Sequence, residues 1–243
     1  MKTEDHNRIR VKICGLMTEE DCAIVNRFRP DYAGFVFADT RHRISDETAA
    51  LLRKNLDPEI LTVGVFVDDA PEHITALAAT GTIDMIQLHG REDDAYIAKL
   101  RRLLRETLQD GRWRRTEMPD ISLIRAARVR DGAEILPAQA QDTEYLLLDT
   151  YDPHVPGGSG RRFDLTLLPP LTKPYFLAGG LTPDNIFTVL EETGARTKTG
   201  DGHTMPLAVD VSSGVESEKA AGHKDAGSVE RFLSEVRRYE QNR

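Results

Sequence analysis

A cysteine and an aspartate stand at the ends of two apolar, strand-like segments. Cys14 ends the run RVKIC and is followed by Gly15, while Asp149 ends the run YLLLD. A thiolate can remove a proton from carbon when nearby donors or dipoles lower the thiol pKa, and a carboxyl group can donate a proton near neutral pH in a partly apolar setting. Taken singly, Cys14 is more often a small buried hydrophobe and Asp149 a turn cap. Their chemistry therefore depends on whether the fold brings them together.

Eight short apolar segments alternate with helical patterns along the chain. The strand candidates are 10–14, 32–37, 61–67, 83–88, 121–127, 145–149, 174–178 and 207–211. The helical patterns lie at 18–28, 46–55, 71–80, 92–108, 134–140, 183–193 and 228–239, with a weakly signalled partial turn near 164–168. The strand candidates are apolar on nearly every residue, which is typical of strands covered on both faces. This pattern predicts an α/β fold, a single-domain (β/α)8 barrel of the TIM type.

In such a barrel, the carboxyl ends of all eight strands meet at one face, which carries the active site. Cys14 and Asp149 are thus predicted to share that face. Other polar or glycine-rich residues follow strand ends there: His89, Gly158, Ser159, Gly179, Gly180, Asp210, Ser212, Ser213 and Gly214. Loops after the seventh and eighth strands commonly bind phosphate, because glycine lets backbone N–H groups approach an anion. A phosphorylated small-molecule ligand is the prediction.

Two segments are longer than a minimal barrel needs, 109–119 and 194–206. Both follow a helical pattern and precede a strand candidate. Helix-to-strand loops lie on the barrel face opposite the active site. We therefore expect neither segment to carry chemistry.

Composition restricts the classes of partner. The chain has 243 residues and a net charge of −8, which disfavours a general nucleic-acid surface. No apolar run approaches the ~20 residues that span a bilayer, and the N-terminal residues lack a signal-peptide core, so no membrane partner and a cytoplasmic location are expected. Its two cysteines, Cys14 and Cys22, do not make a disulfide framework. The seven histidines are scattered without metal-ligand spacing, so no metal is expected.

The motifs at the strand ends are recognisable when they are taken together. They are KICGL, GFVF, VGVF, QLHG, LLLD followed by GGSG and FD, LAGGL, VDVSSGVE and HKD. Over residues 11 to 238 the chain resembles the phosphoribosylanthranilate isomerase family of tryptophan, and hence aromatic amino-acid, biosynthesis. The resemblance implies a cofactor-free Amadori rearrangement of N-(5′-phosphoribosyl)anthranilate to 1-(2-carboxyphenylamino)-1-deoxyribulose 5-phosphate.

The resemblance also implies roles for individual residues. Cys14 would be the general base and Asp149 the general acid. The phosphate would lie against Gly179, Gly180, Ser212, Ser213 and Gly214. Gly158 and Ser159 would close over the substrate, and His89 and Asp210 would line the pocket near the anthranilate and the ribose.

One stretch after the second strand departs from the family pattern. The family places an arginine there that pairs with the anthranilate carboxylate, whereas straight alignment places His42 at that position. Arg41 and Arg43 flank the histidine, and a guanidinium binds a carboxylate in a bidentate manner that an imidazole cannot match. Arg43 is the preferred candidate and Arg41 the second.

Three other functions fit these residues less well. A related aldose–ketose isomerase of the histidine-pathway type would have paired aspartates at strands 1 and 5, where this chain has Cys14 and an alanine-rich run. A non-catalytic barrel that only binds a phosphorylated metabolite would not need both Cys14 and Asp149. A redox dithiol is disfavoured because Cys14 and Cys22 do not form a CxxC motif. The sequence leaves a monomer and a weak homodimer both open.

Overall fold

The computed structural model describes residues 8–108, 121–129, 133–150, 168–199, 202–218 and 220–243. Eight parallel strands pair in chain order and close into a barrel, which confirms the predicted fold. The strands are β1 (Arg10–Cys14), β2 (Tyr32–Val36), β3 (Leu61–Phe66), β4 (Met85–Leu88), β5 (Ser122–Val129), β6 (Tyr145–Thr150), β7 (Tyr175–Ala178) and β8 (Ala208–Val211).

Helices follow the strands and cover the outside of the barrel. They are α1 (Glu19–Phe28), α2 (Asp46–Asn55), α3 (Pro71–Ala79), α4 (Asp94–Leu108), α5 (Ile135–Ala140), α6 (Ile186–Thr197) and α7 (Ala226–Asn242). A short 3-10 helix spans Ser213–Val215 just after β8. Within the described part of the chain, none of these helices is long and apolar enough to cross a membrane.

Most element boundaries differ from the sequence prediction by one to four residues, and two of these differences have a visible cause. β4 begins at Met85, two residues late, because the buried Asp84 carboxylate accepts hydrogen bonds from the Thr62 amide and hydroxyl. α6 begins at Ile186, because the Asn185 side chain accepts from the Thr182 amide and ties residues 182–185 into a turn. α6 also continues to Thr197, inside the segment 194–206. The segment 109–119 and most of the partial turn near 164–168 lie outside the described residues.

The apolar core has two layers, as strand alternation requires. One layer fills the barrel interior, with Tyr32, Val63, Met85, Ile124, Leu147 and Phe176 among its members. The other lies between the strands and the helices, where the alternate strand residues pack. Above the interior layer, the inward positions of β1, β4 and β8 are polar, so the barrel interior changes character towards the carboxyl ends of the strands.

Asp21 joins the start of α1 to the segment between β8 and α7. Thr18 and Asp21 form a capping box at the start of α1, and the buried Asp21 carboxylate accepts from the amides of Met17 at 2.9 Å and Thr18 at 3.0 Å. It also accepts from the amide of Lys224 at 2.8 Å. Three backbone donors on two distant segments therefore depend on one carboxylate.

We expect Asp21→Ala to lower the free energy of unfolding by about 2 kcal/mol or more, because it leaves buried amides without acceptors. Denaturant unfolding measures the change. Glu20→Ala is the matched control, since Glu20 lies in the same helical turn and is exposed. Equal unfolding free energies for the two variants would contradict the structural role of Asp21.

Candidate active site

A buried ion pair lies beneath the mouth, which we define as the end of the barrel where the carboxyl ends of the strands meet. The Lys12 side chain is fully buried, and its ammonium donates to Asp210 Oδ2 at 2.9 Å and to Gln87 Oε1 at 3.0 Å. Lys12 and Asp210 are register partners on β1 and β8. A lysine in this position needs the carboxylate, because an unpaired buried charge is strongly destabilising.

Cys14 lies two residues beyond Lys12 on the same strand, so both side chains point into the barrel. The cysteine packs against apolar side chains of the mouth: Val36, Ala38 and Val65. It also lies over Gly34 of β2, where an added Cβ would come within 2.7 Å of Cys14 Sγ. Gly15 then turns the chain with a φ of +80°, a conformation that favours glycine. Gly34 thus makes room for the thiol, and Gly15 allows the chain to turn directly after it.

Burial dominates the electrostatics of the Cys14 thiol. It raises the pKa of Cys14, although the Lys12 and Lys224 ammonium groups act in the opposite direction. The Asp210 carboxylate adds to the increase in this pKa. The cations that favour a thiolate are therefore present, but the thiol form predominates at neutral pH.

A chain of hydrogen bonds runs from Asp210 through Lys12 and Gln87 to His89, whose ring lies beside Asp149. Gln87 Oε1 accepts from Lys12, so the amide nitrogen of Gln87 faces His89 Nδ1, at 3.1 Å. An amide nitrogen can only donate, so His89 Nδ1 is the acceptor and His89 Nε2 carries the proton. That nitrogen lies 3.3 Å from Asp149 Oδ2. The Gln87 amide therefore leaves the Nε2 side of the His89 ring facing Asp149.

The loops after β7 and β8 touch each other. Gly179 and Gly180 have φ angles of +91° and +61°, and Asn185 Nδ2 donates to the Gly180 carbonyl at 2.8 Å. An added Cβ on Gly214 would come within 1.9 Å of the Leu181 carbonyl oxygen. The structure thus brings the two predicted phosphate loops together.

Ser212 has a further contact that the sequence did not reveal. Its hydroxyl donates to the Cys14 carbonyl at 2.9 Å, which ties the β8 loop to the end of β1. Ser213 begins the 3-10 helix, whose first turn directs backbone N–H groups outward. Gly158 and Ser159 lie outside the described residues.

The loop after β2 is held to the loop after β8 by Glu216. His42 Nε2 lies 2.7 Å from one oxygen of Glu216, and the Arg41 guanidinium lies 2.9 Å from the other. Burial opposes the ionisation of Glu216, but the Lys224 ammonium and the His42 ring outweigh it and lower the pKa of Glu216. By contrast, the Arg43 side chain is 61% exposed and pairs with the fully exposed Asp39 at 3.9 Å.

Four of these polar residues were not singled out from the sequence: Lys12, Gln87, Glu216 and Lys224. All four stand inside the motifs that identify the strand ends. A sequence signal does exist for Lys12, because a charged residue in the middle of an otherwise apolar strand must find a buried partner. Within the part of the chain that the structure describes, no group of acidic, histidine or cysteine side chains could hold a metal ion.

Comparisons with known proteins agree on one family. Residues 11–235 match the family model described as N-(5′-phosphoribosyl)anthranilate (PRA) isomerase. The N-(5′-phosphoribosyl)anthranilate isomerase of Lachnoclostridium phytofermentans is 38% identical over 96% of this chain and 100% of its own length. That of Thiobacillus denitrificans is also 38% identical, over 94% of this chain and 98% of its own.

Solved structures give the same likeness. The phosphoribosyl anthranilate isomerase from Thermotoga maritima superimposes with a TM-score of 0.73 at 32% identity, covering 94% of this chain and 98% of that one. A phosphoribosyl anthranilate isomerase in complex with reduced 1-(O-carboxyphenylamino)-1-deoxyribulose 5-phosphate superimposes with a TM-score of 0.67 at 29% identity, over 94% of this chain and 98% of that one.

We expect Gly214→Ala to weaken the binding of inorganic phosphate and to lower the free energy of unfolding by about 1 to 3 kcal/mol, because the new methyl group must push two loops apart. Titration calorimetry with phosphate and denaturant unfolding measure these effects. Gly227→Ala is the control, since its nearest neighbour, Asp225 Oδ1, would lie 3.4 Å from the new Cβ. Unchanged phosphate affinity in Gly214→Ala would rule out a phosphate site between these loops.

Proposed function

Because the chain belongs to the N-(5′-phosphoribosyl)anthranilate isomerase family, we infer that it converts N-(5′-phosphoribosyl)anthranilate to 1-(2-carboxyphenylamino)-1-deoxyribulose 5-phosphate, an Amadori rearrangement in tryptophan biosynthesis. The observation that carries this inference is the arrangement of the mouth. A cysteine on β1 and an aspartate on β6 end at the same face as two glycine-rich loops. That combination suits a phosphorylated sugar whose protons must be moved.

We propose that Asp149 starts the reaction as the general acid. It gives a proton to the furanose ring oxygen while the bond from that oxygen to C1′ breaks and the amine nitrogen forms a double bond to C1′. The product of this step is an open-chain protonated imine. The His89 ring, whose Nε2 lies 3.3 Å from Asp149 Oδ2, is placed to stabilise the carboxylate that the proton transfer leaves behind.

We assign the second proton transfer to Cys14. The protonated imine withdraws electrons from C2′, so the C2′ proton becomes acidic only after the ring has opened. Cys14 acts in its thiolate form, after its own proton has been released to solvent before the substrate binds. The thiolate takes the C2′ proton, the C2′–H electrons form the C1′–C2′ double bond of an enolamine as the imine electrons return to nitrogen, and the enolamine then tautomerises to the ketone. The half-buried position of Cys14 supports this role, since a thiolate with a raised pKa is a stronger base than an exposed one.

Phosphate recognition is assigned to the loops that end β7 and β8. Gly179, Gly180, Ser213 and Gly214 offer backbone N–H groups to the anion, and Ser212 positions the loop through its bond to the Cys14 carbonyl. The pocket wall near the ribose and the anthranilate is assigned to Asp210 and His89. We also propose that Gly158 and Ser159 close over the substrate.

The anthranilate carboxylate is assigned to Arg43. Arg41 and His42 are both engaged by Glu216 at short range, whereas the exposed Arg43 has a long contact with Asp39. A guanidinium that does not have to give up a short ion pair binds a new carboxylate at lower cost. Arg43 is itself bridged through the backbone to Val36, the last residue of β2, and so lies near the mouth.

The working environment follows from the substrate and from the charge of the chain. We propose a cytoplasmic enzyme that takes a small phosphorylated metabolite and needs no nucleic acid, membrane, metal or cofactor. One related structure describes mutually generated monomers of the dimeric isomerase from Thermotoga maritima. For this chain, both a monomer and a weak homodimer fit the proposal.

We expect Cys14→Ala and Asp149→Asn each to lower kcat by at least about 100-fold, since each removes a proton-transfer group. The assay generates phosphoribosylanthranilate in situ and follows the loss of its fluorescence. Cys22→Ala is the control for loss of a thiol, because Cys22 is buried in α1 and contacts the Leu52 carbonyl. An active Cys14→Ala variant would refute the base assignment, and a wild-type protein without turnover would refute the function.

We expect Arg43→Ala to raise KM by about 10- to 100-fold, because it removes a charged hydrogen-bonded pair with the anthranilate carboxylate. We expect kcat to change by no more than a few-fold. Arg41→Ala is the matched variant from the same loop and is expected to change KM less. Steady-state kinetics with the same fluorescent substrate distinguish the two. A larger KM effect in Arg41→Ala would transfer the carboxylate site to Arg41.

A further inference from the structure

We propose that Lys12 is a positioning residue of the reaction, whose buried ammonium is the counter-charge that allows Cys14 to ionise beneath the mouth. The proposal rests on the assignment of Cys14 as the base, but it concerns the ionisation of the thiol, which is measurable without substrate. Lys12 does not touch the reacting atoms in this role. It acts through the charge that it holds next to the cysteine.

Lys12 is fixed in place by two acceptors on other strands. Its ammonium has three N–H donors, of which one goes to Asp210 Oδ2 at 2.9 Å and one to Gln87 Oε1 at 3.0 Å. Cys14 is the next inward residue of β1, so its side chain enters the barrel interior on the same side of the strand as that of Lys12. The Lys12 charge lowers the pKa of the Cys14 thiol, in opposition to burial. The two acceptors hold this charge at the level of β1 that lies directly below the cysteine.

The charged groups around Cys14 come from several segments. Lys12 and Asp210 stand below it, and the fully buried Lys224 side chain reaches Ser212 and Glu216 from the loop before α7. The His42 ring lies over Gly15, and burial lowers the pKa of His42, so this ring is neutral at neutral pH. Across the mouth, His89 lies between the Gln87 amide and Asp149.

In this arrangement Lys12 favours the ionisation of the Cys14 thiol and Asp210 opposes it. Without Lys12, the thiolate would form in a buried site next to the Asp210 carboxylate, with no cation between them. Without the Asp210 charge, the Lys12 ammonium would have the thiolate as its nearest anionic partner. A residue that only filled space would show neither effect. A neutral side chain of similar length would fill the same space without the free-energy cost of a buried charge.

The test measures how the alkylation of Cys14 by iodoacetamide depends on pH, using the full-length protein without substrate and mass spectrometry of the Cys14 peptide. We expect Lys12→Met to raise the midpoint of this dependence by about 1 to 3 pH units and Asp210→Asn to lower it. Lys12→Arg keeps the positive charge and is expected to restore most of the wild-type midpoint. Cys22 is an internal reference, since burial raises its pKa to about 12.

Gln87→Met is the matched control for loss of a neutral contact of Lys12. It removes an acceptor of the ammonium but no charge, so its midpoint is expected to lie closer to the wild type than that of Lys12→Met. An unchanged midpoint in Lys12→Met, or shifts of the same sign in Lys12→Met and Asp210→Asn, would overturn the proposal.

Lys12→Met leaves Asp210 buried without its partner, so this variant could fail to fold. The double variant Lys12→Met/Asp210→Asn avoids the unpaired charge, and its midpoint is compared with that of Asp210→Asn alone. A higher midpoint in the double variant supports the proposal, and equal midpoints refute it. Because no substrate is present, a wild-type protein that failed the isomerase assay would overturn the proposed function without deciding the role of Lys12.

Discussion

The ion pair between Lys12 and Asp210 is the interaction on which the mouth depends. It joins the first strand of the barrel to the last, at residues that are also register partners. Lys12 is fully buried, so the pair must be complete if the barrel is to close without an isolated charge. An apolar pair would close the barrel at lower cost. The retention of two charges at this depth therefore points to a use in the mouth directly above.

That use extends from one side of the mouth to the other. The ammonium fixes the orientation of the Gln87 amide, the amide fixes the tautomer of His89, and the His89 ring lies beside Asp149. The same ammonium is the cation that lowers the pKa of Cys14 most strongly. A single buried positive charge thus influences the proton state of the residue assigned as the base and the tautomer of the histidine beside the residue assigned as the acid. It does so without contact with the substrate.

The sequence predicted the barrel because eight apolar, doubly covered strands are visible one at a time. It also predicted which residues end those strands, and so brought Cys14 to the same face as Asp149. It could not predict the contacts that fix their chemistry, because Lys12, Gln87 and Glu216 meet their partners only through strand order and side-chain direction.

The start of α6 was misplaced for a related reason: Pro183 is typical of a first helical turn, but the Asn185 side chain makes that segment a separate turn. The close approach of Gly214 to Leu181 was equally invisible, since a glycine by itself does not reveal which backbone lies against it.

The raised pKa of Cys14 makes its thiolate a stronger base and at the same time makes that thiolate harder to form. The C2′ proton is not acidic in the closed sugar, so the thiolate has a proton to remove only after the acid has opened the ring. Burial alone would raise the pKa of Cys14 too much, because a thiol in an apolar pocket beside a carboxylate would not ionise at neutral pH. Lys12 sets the balance: its charge offsets Asp210 and reduces the penalty for ionisation, while the apolar wall of Val36, Ala38 and Val65 preserves the basicity of the sulfur.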